Sequence, residues 1–176
     1  MERHIGIYSG TFDPIHSGHI AFAQEAMRIC HIDNVVFLPE TQPRVKNAVT
    51  PIADRLKFIQ NAIADIHSLS VIQLASTQFS TATTLPELQT VFNDAKFTLL
   101  LGSDVVRTFL YRWKDLHILL GQVSLAIGMR DGDTVDEITS ILKDVEMRHK
   151  IAIDYTFIYT DHSHVASTHI RNSVQN

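Results

Sequence analysis

The sequence predicts an α/β fold built on a mostly parallel sheet, and three observations carry that prediction. Strand-like and helix-like apolar patterns alternate along the whole chain. The segment Val35-Val36-Phe37-Leu38 is apolar at every position, as in a strand covered on both faces. A loop rich in turn residues, starting at Gly10, joins the first strand to the first helix. In open parallel sheets, ligands bind beyond such strand ends, where the strand order reverses.

Residues 5–9 (Ile-Gly-Ile-Tyr-Ser) read as the first strand, and residues 18–30 as a helix. Residues 35–38 form the second strand, stopped by Pro39. Residues 40–48 are polar, include Arg44 and Lys46, and read as a loop. Thr50-Pro51 then starts a helix, with Thr50 as its N-cap and Pro51 as its first residue. Leu56, Ile59, Ala62, Ile63 and Ile66 recur along it at helical spacing.

Residues 69–74 read as a third strand and 80–93 as a helix, with Pro86 near its start or at a break. A fourth strand, 97–101, runs into Gly102-Ser103-Asp104 and is followed by helical segments over 105–120. A fifth strand covers 123–129. A helix over 134–149 places Val135, Ile138, Leu142 and Val145 on one face. Residues 151–159 read as a sixth strand, and Thr168 opens a short last helix. The Gly10 loop and Gly102-Ser103-Asp104 would flank one crevice if the first and fourth strands are neighbours.

Composition narrows the function classes. The chain has 176 residues, 45% of them hydrophobic and 19% charged, as expected of one globular domain spanning 1–176. Lys and Arg total 15 against 19 Asp and Glu, a net charge of −4, which argues against a nucleic-acid partner. No apolar run approaches membrane-spanning length. The single cysteine, Cys30, excludes an internal disulfide and points to the cytoplasm; it is expected to be buried and inert. The start of the chain shows no secretion signal. His31, His67, His117 and His149 read as surface positions.

The most specific string is Gly10-Thr11-Phe12-Asp13-Pro14-Ile15-His16-Ser17-Gly18-His19. Gly10 lets the backbone approach a ligand closely. Asp13-Pro14 shapes a turn. His16 and His19 stand three residues apart where the helix begins. Free N–H groups and a partial positive charge there suit phosphate. The pair could also ligate a metal, but no third ligand accompanies it, so no metal site is expected.

This string resembles the HxGH nucleotidyltransferases, and further segments resemble bacterial nicotinate-nucleotide adenylyltransferases. Ser80-Thr81-Ala82-Thr83-Thr84-Leu85 is similar to that family's Tyr-Thr-x-x-Thr-Leu, with Ser80 in place of Tyr. Leu101-Gly102-Ser103-Asp104 with Phe109 and Trp113 resembles its Gly-x-Asp…Trp segment, Trp113 standing one residue further on. Ala166-Ser167-Thr168-His169-Ile170-Arg171 resembles its Ile-Ser-Ser-Thr-x-Ile-Arg signature. The family's His-Lys pair is replaced by Pro43-Arg44-Val45-Lys46, and the chain stops five residues after Arg171.

The resemblance implies a Rossmann-like three-layer sandwich and transfer of AMP from ATP to nicotinic acid mononucleotide or its amide. It implies that His16, His19 and Arg171 are catalytic. Gly10, Thr11, Phe12, Gly18, Gly102, Asp104, Ser167 and Thr168 would complete the ATP site. Thr84, Trp113 and Lys46, or Arg44 beside it, would address the mononucleotide. Mg²⁺ would arrive with ATP, and a homo-oligomer is compatible. From the residues alone, Asp104 could instead be a helix N-cap, Trp113 a core residue and Arg171 a solvated helix-end charge. Two rival functions remain: transfer to another phosphate acceptor such as phosphopantetheine, by an adenylyl- or cytidylyltransferase, and a nucleotide-binding regulator without activity.

Overall fold

The computed structural model describes residues 2–42 and 48–160. Six strands form one sheet: β1 (Arg3–Gly10), β2 (Asn34–Pro39), β3 (Leu69–Val71), β4 (Ala95–Gly102), β5 (Val123–Gly128) and β6 (Tyr155–Ile158). Their order is β3-β2-β1-β4-β5-β6, and every neighbouring pair is parallel. The order reverses between β1 and β4, whose pairing runs from Arg3↔Ala95 to Tyr8↔Leu100. The two strands expected to flank a crevice are therefore neighbours.

The helices are α1 (Ser17–Cys30), α2 (Ile52–Ala62), α3 (Thr84–Val91), α4 (Ser103–Val106), α5 (Leu116–Leu120) and α6 (Val135–His149). Alternation along the strands sorts their side chains into two cores. Ile5, Ile7, Val36, Leu38, Leu99 and Leu101 join α5 and α6 on one face. Val35, Phe37 and Leu100 join Phe22, Ala23 and Ala26 of α1 and Ile59 of α2 on the other. The strand read as apolar throughout is thus covered twice, and the result is the three-layer Rossmann-like sandwich.

Several boundaries differ from the sequence reading, each for a local reason. The third strand stops at Val71, not residue 74. Ile72 N–H still donates to Phe37 at 3.1 Å, but the next donor in line is Pro39, which has no N–H. The sixth strand begins at Tyr155, because the N–H groups of Ile151 and Ile153 go to the carbonyl and carboxylate of Glu146 on α6. Pro51, not Thr50, caps α2. Thr50 is drawn to the first loop, with its N–H on Asp13 and its carbonyl on Arg55.

Residues 80–83 form a turn before α3, which leaves Pro86 in the first helical turn, where its missing N–H costs nothing. The helical segments expected over 105–120 are α4 and α5, separated by turns that end at Asp115 in left-handed conformation. On α6, Thr134 caps through its hydroxyl, and Ile138, Leu142 and Val145 are buried, while Val135 faces solvent. Cys30 is half-buried rather than buried, and burial pushes its thiol pKa up. Among the four outlying histidines, His149 is half-buried and stacks on the exposed His117. The helix expected from Thr168 lies outside the described residues.

Candidate active site

A cleft of about 530 Å³ opens at the carboxyl ends of β1 and β4, under the start of α1. Gly10, Thr11, Phe12, His16, Gly18, His19, Gly102, Asp104 and Trp113 all line it. Phe12 sits at a positive φ of 47°. Its ring is buried edge-on against Tyr8, Phe37 and His19. A Cβ on Gly10 would lie 3.2 Å from that ring, so a side chain there would disturb the turn.

His16 is the N-cap of α1 in extended conformation. Its N–H donates to Nδ1 of His19 at 3.2 Å, and the two rings stack with centroids 3.6 Å apart. With Nδ1 accepting, the His19 proton belongs on Nε2. Burial, aided by the charge of Arg130, pushes the His16 pKa down to about 4. His16 is thus neutral near pH 7.

Asp104 is the second residue of α4, whose cap is Gly102, so it lies inside the first turn rather than capping it. Its Oδ1 is 3.2 Å from Nη2 of Arg130. A Cβ on Gly102 would meet that same oxygen, so a side chain there would displace the Asp104 carboxylate. Across the cleft, Trp113 is half-buried. It donates from Nε1 to Thr108 Oγ1 at 2.9 Å and packs edge-on to Phe109. It is therefore both an extension of the core and a wall of the cleft.

Thr84 is not brought to the cleft. It is buried, and its hydroxyl oxygen accepts the Ser80 N–H at 3.0 Å, closing the turn that precedes α3. Lys46, Arg44, Ser167, Thr168 and Arg171 lie outside the described residues.

The family profile described as Cytidylyltransferase-like matches residues 7–173. A "Probable nicotinate-nucleotide adenylyltransferase" of Neisseria meningitidis serogroup C is 32% identical, over 77% of this chain and 70% of the relative. The chain belongs to this family. A relative of the same name from Syntrophotalea carbinolica is 29% identical over 97% of this chain and 85% of its own length. In fold, the chain is similar to Plasmodium falciparum nicotinic acid mononucleotide adenylyltransferase complexed with NaAD. The TM-score is 0.77 at 21% identity, covering 97% of this chain and 83% of that one. The family makes this protein a nucleotidyltransferase.

Arg130, Phe79 and Glu40 of this adenylyltransferase cleft escaped the sequence reading. Arg130 follows the carboxyl end of β5, as Asp104 follows that of β4, so the same positional rule could have found it. Phe79 lines the cleft 6.1 Å from Trp113, ring to ring. Glu40 lines it from the end of β2, accepting the Phe79 N–H at 2.9 Å and donating its own N–H to Gly10 at 2.9 Å. Neither of these last two belongs to a motif. Among the described residues, no group of three or more His, Cys, Asp or Glu could hold a metal ion. No helix of the described residues is long and apolar enough to cross a membrane.

Proposed function

We propose that this protein transfers the adenylyl group of ATP to nicotinic acid mononucleotide, releasing pyrophosphate and forming the dinucleotide. The observation that carries this reading is the stacked His16–His19 pair at the start of α1, facing a cleft whose far wall is Trp113. The imidazoles and the helix N-terminus supply donors for phosphate, and the indole supplies a flat apolar face for a pyridine ring.

In this reading, a phosphate oxygen of the mononucleotide attacks the α-phosphorus in line. The bond from the α-phosphorus to the bridging oxygen breaks, and pyrophosphate carries away the electron pair. The nucleophile is already anionic near pH 7, so no general base is needed. The protein's work is positioning and charge stabilisation. His19 donates from Nε2 to the triphosphate. His16, neutral near pH 7, takes up a proton as the polyanion arrives. Gly10, Thr11, Phe12 and Gly18 line the nucleotides through their backbone. Gly102 and Asp104 face the adenosine side, with Arg130 as an added cation. ATP enters as its Mg²⁺ complex, the ion being held by phosphate oxygens and water. Ser167, Thr168 and Arg171 would clasp the triphosphate and Lys46 the acceptor phosphate, on the strength of the sequence resemblance. Thr84 would act by holding its turn. The single cysteine suits a reducing compartment, and the reading places the enzyme in the cytoplasm.

The test is a panel of acceptors with Mg-ATP, scored for pyrophosphate release. Turnover with nicotinic acid mononucleotide and little with phosphopantetheine is expected. Preference for phosphopantetheine, or release with no acceptor at all, would overturn the reading.

A further inference from the structure

The β4–β5 pairing runs to Gly102↔Gly128, so the loops leaving these two strands start side by side. One carboxylate ties them together. Asp133, just before the cap of α6, accepts from the Ser103 hydroxyl and from the Arg130 N–H at 2.7 Å, both through Oδ2. Its Oδ1 accepts from Arg107 Nη2 at 2.7 Å. The side chain is 8% exposed. Burial works against its charge, but the bonds from Ser103, Arg107 and Arg130 hold its carboxyl below the usual range.

The partners of Oδ2 are the neighbours of cleft groups. Ser103 is fully buried and directly precedes Asp104. Arg130 carries the guanidinium that meets Asp104 at 3.2 Å. The partner of Oδ1 belongs to a separate network: Arg107 also bonds Glu137 at 2.9 and 3.1 Å, bracing α4 against α6. Asp133 itself does not line the cleft.

We propose that Asp133 is a positioning residue for ATP, fixing the Asp104–Arg130 wall through Ser103 and the Arg130 backbone. The inference rests on the assignment of that wall to the adenosine side. Asp133 touches no substrate; it sets the spacing of two groups that do.

The experiment compares full-length variants by calorimetric titration with ATP and, separately, with nicotinic acid mononucleotide, alongside Tm. Asp133→Ala should weaken ATP binding by about tenfold or more, as expected from losing hydrogen bonds to a charged group. Its affinity for the mononucleotide should move less than about twofold. Asp133→Asn keeps one carbonyl oxygen for Ser103 and Arg130 and should recover most of the ATP affinity. Arg107→Gln breaks the α4–α6 brace yet leaves both Oδ2 contacts, so it should lower Tm without moving ATP affinity. If Asp133→Ala does not fold, Ser103→Ala carries the test and should weaken ATP binding a few-fold.

Equal losses for both ligands, unchanged ATP affinity in Asp133→Ala, or an Arg107→Gln loss matching that of Asp133→Ala would each overturn the proposal. Because ATP affinity is read without turnover, a wild type that binds ATP but rejects the mononucleotide overturns the acceptor assignment alone.

Discussion

Arg55 donates from Nη1 to the carbonyl of Thr11 at 2.6 Å, joining α2 to the loop after β1, 44 residues earlier in the chain. The same guanidinium reaches the carbonyls of Thr50 at 2.8 Å and Glu40 at 3.0 Å, and it is 1% exposed. Three backbone acceptors from three separate segments depend on one buried cation. Arg55→Met should therefore lower stability by several kcal/mol, since each buried carbonyl left unsatisfied costs about 1–3 kcal/mol. Arg55→Lys should recover only part, since an ammonium lacks the planar fork that reaches all three. Urea unfolding followed by Trp113 fluorescence measures both. An unchanged midpoint in Arg55→Met would mean that water replaces the guanidinium.

His19 stands at a helix entrance, among rings, rather than at a core position. It packs edge-on to Phe12 and Tyr8 and accepts from His16 N–H. His19→Ala should lower kcat by about 10²–10³-fold, as removal of one preorganised donor does elsewhere, with a small change in Tm. Normal turnover in the folded variant would remove His19 from the chemistry.

His16 makes the site pH-sensitive in two ways. Its folded pKa, about 4, lies below the ordinary 6.5. The unfolded chain then binds more protons between these values, so stability should fall as pH drops from about 6.5 toward 4. His16→Asn should flatten that part of the curve. A triphosphate beside the ring favours its charged form and raises the pKa, so ATP binding near pH 6 should take up protons. Titration calorimetry in buffers of different ionisation enthalpy reads this directly. Proton release, or no difference from His16→Asn, would place the phosphates elsewhere.

Much of this was legible in the sequence because the signals were local. Val35-Val36-Phe37-Leu38 read as a doubly covered strand because every one of its side chains meets a core. His16 and His19 were legible through their spacing at a helix start. Thr84 was read toward the ligand because it sits in a motif, yet its hydroxyl is occupied by the Ser80 N–H, a contact that spacing does not reveal. Residues 105–120 read as helical segments without a stated break, and the left-handed Asp115 marks where the second of them begins. Arg130, Arg55 and Asp133 belong to no string. Their roles arise from strand neighbours brought together by the 3-2-1-4-5-6 order, which no local pattern encodes.

Trp113 offers the most direct view of the acceptor, being the only tryptophan in the chain. Its indole N–H is fixed to Thr108, and Phe109 and Phe79 steady its edges, so the ring is oriented before any ligand arrives. A pyridinium ring stacked on it should quench its fluorescence. Nicotinic acid mononucleotide should quench strongly and ribose 5-phosphate, which lacks the ring, weakly. Trp113→Ala would confound stacking with lost packing, because the ring also covers the core. Trp113→Phe retains an aromatic face of smaller area and is the cleaner change. An aromatic pair contributes about 0.5–1.5 kcal/mol beyond its buried area, which at about 1.4 kcal/mol per factor of ten is roughly 2–12-fold. Partial loss of that stack should raise the KM for the mononucleotide within this range and leave the KM for ATP unchanged. If both ligands quench alike, and if Trp113→Phe shifts the two KM values together, the indole is a core residue that borders the cleft, and the pyridine ring binds against another wall.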